Sequence, residues 1–194
     1  SSDVCSSDLS IVDGNLEDAP LARIFHHLRS GSYDVFACTV MPGPQLRQAI
    51  PFSKEVRAAF PGIKIIWGGY FPSNQPKVCL ASGFVDVIVN GPGDKCFPML
   101  LDALHSKGKW NDIPNLIFLE DERLVKTKKD ELYEQDELPA LPYEKLDAVY
   151  PLKKYLGKTW LGERTIAYHS SFGCPFTCSF CAVVPVYNAR WKDR

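Results

Sequence analysis

The sequence predicts an α/β fold in which a doubly wound parallel sheet carries helices on both faces. Between residues 10 and 107, short apolar runs alternate with amphipathic stretches of helical length. The apolar runs are continuous rather than alternating, which is typical of strands buried on both sides. Connections as long as a helix imply right-handed crossovers and therefore parallel pairing of successive strands. These three observations define the class.

The elements follow one another from residue 10. Apolar residues at helical spacing, from Leu21 to Leu28, predict the first helix, which begins at Pro20 and stops before Gly31. We expect Pro51 to kink the second helix and Asp94 to cap the last one. Strands are predicted at 11–12, 34–40, 63–67 and 85–89, and helices at 20–30, 45–60, 77–82 and 95–107. The strand at 11–12 starts without a lead-in, so we expect the first strand–helix unit of the fold to be missing from this sequence.

Residues 1–9 form a polar string in which Ser-Ser-Asp plus an aliphatic residue occurs twice. It has neither helical nor strand periodicity and resembles translated sequencing-adaptor DNA. A disordered polar tail would look similar at this length. We interpret residues 1–9 as a non-native tail, which would leave six native cysteines.

The chain changes character after residue 110. Residues 116–119 and 124–125 predict a small hairpin, and a mixed-charge stretch with Pro139, Pro142 and Pro151 predicts an extended linker up to residue 164. A further strand is predicted at 165–171, just before a cysteine-rich loop. We therefore divide the chain into a first domain at 10–110, a hairpin and linker at 111–164, and the truncated start of a second domain at 165–194.

Composition excludes several function classes. The 194 residues carry 22 Lys and Arg against 23 Asp and Glu, a net charge of -1, which argues against nucleic-acid binding. The sequence contains neither a run of 18 apolar residues nor a signal-peptide pattern, so we expect a cytoplasmic protein. The seven cysteines are an odd number in a compartment that keeps thiols reduced, so metal binding or catalysis is favoured over disulfides.

Three of these cysteines lie within eight residues: Cys174, Cys178 and Cys181. A compact loop with this spacing can direct three sulfur atoms at one centre, as in a four-iron cluster that keeps one iron open. A structural zinc site normally takes four ligands, with His169 or a further residue as the fourth here. Three incidental cysteines are the remaining possibility. The spacing and the redox compartment favour an iron–sulfur cluster.

The segment from Ser171 to Cys181 resembles the CxxxCxΦC signature of the radical S-adenosylmethionine superfamily, which follows the first strand of a (β/α) barrel. The resemblance implies that Cys174, Cys178 and Cys181 bind a 4Fe-4S cluster, that S-adenosylmethionine chelates the fourth iron, and that Phe180 packs beside the cofactor. It also implies reductive cleavage to a 5′-deoxyadenosyl radical. An electron donor such as flavodoxin or ferredoxin and a small-molecule substrate are the partners expected.

Three predicted strand ends are candidate ligand contacts, and two of them contain glycines. Ligands of open parallel sheets bind beyond the carboxyl ends of the strands, where glycine lets a bulky ligand approach the backbone. For any one of these turns ordinary turn chemistry is the favoured explanation, but three such strand ends in one domain shift the balance toward a ligand. The strand ends are Thr39-Val40-Met41, Gly68-Gly69-Tyr70 and Gly91-Pro92-Gly93.

These turns resemble the Rossmann-like cobalamin-binding domain, whose pattern is Ser/Thr-x-Leu at one strand end and Gly-Gly at the next. Met41 replaces Leu, and Pro92 replaces the usual acidic residue of the last turn. The cofactor contacts implied are Thr39, Val40, Met41, Gly68, Gly69, Tyr70, Gly91 and Gly93. The family's cobalt-ligating histidine motif would precede this sequence, so the lower cobalt ligand is open. His26 and His27 are expected on a helix surface, and Cys38 and Cys79 in the core.

Together the two resemblances cover residues 10–194 and imply an N-terminal part of a cobalamin-dependent radical S-adenosylmethionine enzyme. Methyl transfer to an unactivated carbon is the leading subclass, and some relatives instead form rings. The alternative from a different class is a non-catalytic ligand-binding α/β module whose cysteine tail binds zinc. A third possibility is a radical enzyme whose first domain has lost cobalamin binding.

Overall fold

The computed structural model describes residues 9–130, 138–166, 174, 176 and 178–187. Within them, helices separate the first four strands, and two hairpins follow later in the chain. The helices are α1 (Pro20–Ser30), α2 (Pro44–Ala59), α3 (Tyr70–Asn74), α4 (Pro76–Ala81), α5 (Cys96–Ser106), α6 (Tyr143–Val149) and α7 (Val183–Tyr187). The strands are β1 (Val35–Thr39), β2 (Lys64–Gly68), β3 (Val87–Val89), β4 (Leu116–Glu120), β5 (Arg123–Lys126), β6 (Gly157–Thr159) and β7 (Gly162–Thr165).

The first five strands form one sheet in the order β1-β2-β3-β4-β5. The strands β1, β2 and β3 are parallel, as predicted, and they bring the three strand-end motifs to the C-terminal end of the parallel strands. The predicted hairpin is confirmed as β4 and β5, and it extends this same sheet because β4 pairs antiparallel with β3. The sheet is therefore mostly parallel, and β4 and β5 form an antiparallel edge.

Two hydrophobic cores cover the two faces of the sheet, as expected for doubly wound strands. On one face Ile65 and Trp67 pack with residues of α1, α2 and α4. On the other face Ile66, Val87 and Val89 pack against Leu100 of α5. Neighbouring residues of β2 thus enter opposite cores, which explains why its sequence is continuously apolar.

Several predicted details are corrected by the structure. Ile11 and Val12 belong to no strand, and a strand that lacked an adjacent partner could not form a ladder. The residue before α5 is Lys95 rather than Asp94, and it makes no side-chain capping bond. Pro51 does lie inside the second helix, where the sequence placed it, and α2 extends on both sides of it. Of the strand predicted at 165–171, only Thr165 lies in a strand; Ile166 lies outside it, and 167–171 fall outside the described residues.

The predicted linker contains more structure than an extended chain. It includes α6, a 3-10 turn at Leu152–Tyr155 and the small β6–β7 hairpin. Two tyrosines tie it to the start of the first domain: the Tyr150 hydroxyl lies 2.7 Å from Glu17 Oε1, and the Tyr155 hydroxyl donates to Asp13 Oδ2 at 2.7 Å. The linker is thereby held against residues 13–17.

The edge strand β1 has a groove beside it. Within the described residues β1 pairs on one side only, with β2. A groove of about 880 Å³ runs along its other side, between residues 9–15 and β1, with residues of α1, α2 and α5 also lining it. In the described part of the chain, no helix is both long enough and apolar enough to cross a membrane.

Candidate cofactor site and cysteine loop

The first two strand-end motifs, 39–41 and 68–70, meet at the C-terminal ends of β1 and β2. The Val40 N–H donates to the Gly68 carbonyl at 2.8 Å, and the Phe71 N–H donates to the Val40 carbonyl at 3.1 Å. Val40 is fully buried, whereas Thr39 and Met41 on either side of it are exposed. The two motifs therefore form one backbone-bonded surface rather than two separate turns.

Gly69 is required by this backbone junction. Its φ is +94°, a left-handed conformation that favours glycine, and a Cβ there would lie 3.0 Å from the Val40 carbonyl oxygen. Gly68 differs, because a Cβ at that position would meet only Val89 at 3.8 Å. Gly69 is thus explained by contact with the protein itself, and Gly68 leaves open space at the strand end.

The third strand end carries a buried polar group that sequence reasoning missed. Asn90 directly follows β3, and its Oδ1 atom is buried without a hydrogen-bond partner among the residues that the structure describes. The neighbouring Gly91 N–H is satisfied, because it donates to the Ser73 hydroxyl at 3.1 Å. A buried acceptor that lacks a partner costs free energy unless another group donates to it. The sequence signal was a single amide residue at the end of an all-apolar strand.

Helix α7, which follows the cysteine loop, packs on this edge of the sheet. The Asn74 side-chain amide of α3 donates to the Ala182 carbonyl at 3.3 Å. The rings of Tyr70 and Tyr187 meet edge to face with centroids 6.0 Å apart. Burial, followed by a hydrogen bond with Tyr70, raises the pKa of Tyr187 to about 12, so this phenol is protonated at neutral pH. The cysteine loop is therefore anchored beside the glycine turns.

The structure does not bring the three predicted cluster ligands together into a metal site. Cys178 is exposed and Cys174 and Cys181 are half-buried, and all three carry reduced thiols. A tight turn joins two of them, since the Cys181 N–H donates to the Cys178 carbonyl at 3.1 Å. Among the residues described, no group of three or more His, Cys, Asp or Glu side chains is arranged to hold a metal ion. Phe180, predicted beside the cofactor, is 91% exposed.

The other described cysteines have different surroundings. Burial raises the pKa of Cys38 to about 12 and the pKa values of Cys79 and Cys96 to about 11. Their thiols stay protonated at neutral pH and contribute packing, which agrees with the core role predicted for Cys38 and Cys79. Cys5 and His169 fall outside the described residues.

The remaining histidine prediction concerns α1. His26 is exposed there, as expected for a surface residue. His27 is half-buried and lines the groove beside β1, and burial, with Arg23 as the next cause, lowers its pKa. Both side chains belong to the helix and not to the strand ends, as predicted.

This geometry defines a class of protein. It is an α/β domain with glycine turns at its strand ends and a cysteine loop beside them. No family model matches the chain. An uncharacterized methyltransferase of Pyrococcus horikoshii is 25% identical over 189 residues, which cover 96% of this chain and 39% of that protein. Hopanoid C-3 methylase of Methylococcus capsulatus is 28% identical over 189 residues, which cover 95% of this chain and 34% of that protein. The chain thus spans between a third and two fifths of the length of these relatives.

Two solved structures share the fold. The cobalamin-dependent S-adenosylmethionine radical enzyme OxsB, with aqua-cobalamin and S-adenosylmethionine bound, aligns with a TM-score of 0.67 at 15% identity, over 84% of this chain and 22% of OxsB. The radical S-adenosylmethionine methyltransferase TsrM from Kitasatospora setae, with cobalamin and a [4Fe-4S] cluster bound, aligns with a TM-score of 0.57 at 19% identity, over 87% of this chain and 34% of TsrM.

These comparisons confirm the resemblance that the motifs predicted. The chain is similar in sequence to methyltransferases and similar in fold to cobalamin-dependent radical S-adenosylmethionine enzymes. The predicted fold class, a Rossmann-like doubly wound α/β domain, is confirmed as well.

Proposed function

We propose that this chain is part of a cobalamin-dependent radical S-adenosylmethionine enzyme that transfers a methyl group to an unactivated carbon of a small molecule. The observation that carries the proposal is the contact between Asn74, beyond the Gly68-Gly69 turn, and Ala182, beside the last cysteine. This contact joins the segment after the Gly68-Gly69 turn to the chain that follows Cys181, and it supports a cluster and a cobalamin bound close together. Methylase relatives and radical-enzyme neighbours support the same assignment.

The cysteine loop has the donor chemistry that an iron–sulfur cluster requires. Cys174, Cys178 and Cys181 carry reduced thiols, and the turn between Cys178 and Cys181 keeps two of them within one loop. We propose these three as the ligands of a 4Fe-4S cluster, with S-adenosylmethionine at the open iron and Phe180 beside it. When bound, the cluster would supply the electron that cleaves S-adenosylmethionine.

The strand ends fit a bulky amide-bearing cofactor such as cobalamin. The unpartnered Asn90 Oδ1 can accept a hydrogen bond from a ligand N–H, and Gly68 leaves the strand end open. We propose Thr39, Val40, Met41, Gly68, Gly69, Tyr70, Gly91 and Gly93 as the surrounding contacts, with Asn90 as an additional acceptor. Cobalamin held here would carry the methyl group. An electron donor such as flavodoxin or ferredoxin and a cytoplasmic location belong to the same proposal.

Iron reconstitution under anaerobic conditions tests the cluster. We expect about four irons per chain and broad visible absorption for the unaltered protein, as for four-iron clusters in general. Cys174→Ala, Cys178→Ala and Cys181→Ala should each abolish stable iron binding, because three thiolates hold the cluster. Cys38→Ala is the matched control and should retain the iron, since Cys38 lies in the first domain's core.

Two outcomes would overturn the cluster assignment. Stoichiometric zinc without iron uptake would favour the non-catalytic module with a zinc-binding tail. An equal loss of iron from Cys38→Ala would show that the three loop cysteines are not the specific ligands.

Titration with hydroxocobalamin tests the strand-end site. The experiment requires the full native protein, because the chain spans only 34–39% of its curated relatives. Asn90→Leu should weaken binding roughly fivefold to thirtyfold, the effect of losing one buried hydrogen bond. Asn111→Leu, an exposed change before β4, should bind as tightly as the unaltered protein. The absence of binding in the unaltered protein would favour a radical enzyme whose first domain has lost cobalamin.

A further inference from the structure

The contact between Gly91 and helix α7 joins residues that are far apart in the sequence. A Cβ on Gly91 would lie 2.9 Å from the carbonyl oxygen of Val186, a distance that real Cβ atoms do not adopt. The obstructing atom belongs to the backbone of α7, so it cannot move aside as a flexible side chain would. Gly91 also has a φ of +106°. Only glycine satisfies both the turn and the approach of α7.

The side chain of Val186 is buried at this contact. Val186 is 3% exposed, whereas Phe180, a few residues earlier on the same segment, is 91% exposed. The burial of Val186 is therefore local to the place where α7 meets the sheet edge, and it is not a property of the whole cysteine segment. Burying an aliphatic side chain of this size contributes free energy to the docked arrangement.

Helix α3 supplies the polar part of the contact. The Asn74 amide donates both to the Tyr70 carbonyl at 2.8 Å, within its own helix, and to the Ala182 carbonyl at 3.3 Å. Because Ala182 directly follows Cys181, this bond restrains the chain at the last thiol of the loop. The Tyr70 and Tyr187 rings close the other end of the contact.

We propose that Gly91 and α3 form a seat for α7, and that this seat fixes where the cysteine loop lies relative to the strand ends. Gly91 is then a positioning residue whose partner is the protein's own α7 backbone. The contact itself is independent of any cofactor. Its consequence for a cluster rests on the proposed function, because only a cluster-binding loop gains from being held at a fixed place.

Hydrogen–deuterium exchange of the iron-free protein under reducing conditions tests the seat directly. Gly91→Ala should raise exchange of the 182–187 amides on the order of tenfold, because α7 would open locally without its seat. Gly83→Ala is the matched control: Gly83 also has a positive φ, +77°, but a Cβ there meets nothing within 4 Å. It should leave the exchange of 182–187 unchanged.

A second variant keeps the test decisive if Gly91→Ala does not fold. Val186→Ala removes buried apolar area from the α7 side and causes no strain in the strand-end turn, and it should raise exchange at 182–187 as well. Unchanged exchange in Val186→Ala and in any folded Gly91→Ala, or an equal rise in Gly83→Ala, would overturn the seat.

Iron reconstitution of the same variants separates the seat from the function. Gly91→Ala retains all three thiols, so it should still take up iron but lose it to a chelator several times faster than the unaltered protein. If no variant takes up iron, the proposed function fails while the exchange result still decides the seat. If iron is retained equally by all variants while exchange rises, the seat exists but does not position the cluster.

Discussion

Cysteine side chains have different surroundings in the sheet domain and in the cysteine loop. Cys38, Cys79 and Cys96 pack within the α/β domain, where burial raises their pKa values to about 11 or 12. In the cysteine loop, Cys178 is exposed, and Cys174 and Cys181 are half-buried. A cysteine in the domain contributes volume, whereas a cysteine in the loop is accessible to a metal. Surroundings, and not residue type, separate the structural thiols from the candidate ligands.

The largest expected effect is a difference in thiol reactivity. Iodoacetamide reacts with the thiolate, so a pKa raised from about 9 to about 12 should slow alkylation of Cys38 on the order of 1000-fold relative to free cysteine. Cys178 is exposed to the reagent and should be labelled first. Peptide mass spectrometry of iron-free protein at pH 8 measures both rates, and the difference should disappear in guanidinium chloride.

The pH dependence of this reaction has a definite sign. The Cys38 rate should rise tenfold per pH unit until the pH approaches 12. The pKa of Cys38 is higher in the folded protein than in the unfolded chain. The contribution of Cys38 to the free energy of unfolding is therefore fully present below about pH 9 and is lost as the pH rises toward 12. Equal labelling of Cys38 and Cys178 in the folded protein would break the distinction between the two regions.

A smaller effect is expected from truncating one apolar side chain in each region. Leu100 of α5 is fully buried, so Leu100→Ala should lower the free energy of unfolding by about 2–5 kcal/mol. Phe180 is exposed in the loop, so Phe180→Ala should change it by less than about 0.5 kcal/mol. Guanidinium unfolding curves of the two variants compare the regions. A loss of several kcal/mol from Phe180→Ala would show that the loop is packed in solution.

The sheet and its helices could be predicted because their apolar periodicity is local. The runs 34–40 and 85–89 contain β1 and β3, and the run 63–67 covers all of β2 except its last residue, Gly68. The hairpin was also predictable, but not its pairing with β3, because antiparallel addition to a parallel sheet depends on a long-range register. The short helix α3 was missed, since five residues after Gly-Gly carry too little periodicity to be recognised.

The candidate site could be predicted only in part. The glycine and cysteine motifs are short-range patterns and were found. The orphaned Asn90 Oδ1 and the contact of Gly91 with Val186 depend on which distant segments meet at the sheet edge. A pattern at one residue cannot predict such a contact, because the contact depends on both of the segments that form it.

The one-sided pairing of β1 has a consequence for handling the protein. In the parallel ladder with β2, alternate N–H and C=O groups of β1 point to the other side, toward the groove lined by residues 9–15. Unpaired strand margins are templates for pairing between molecules. In the described part of the chain this side of β1 has no strand partner, so pairing between two copies along β1 is the route expected for any self-association.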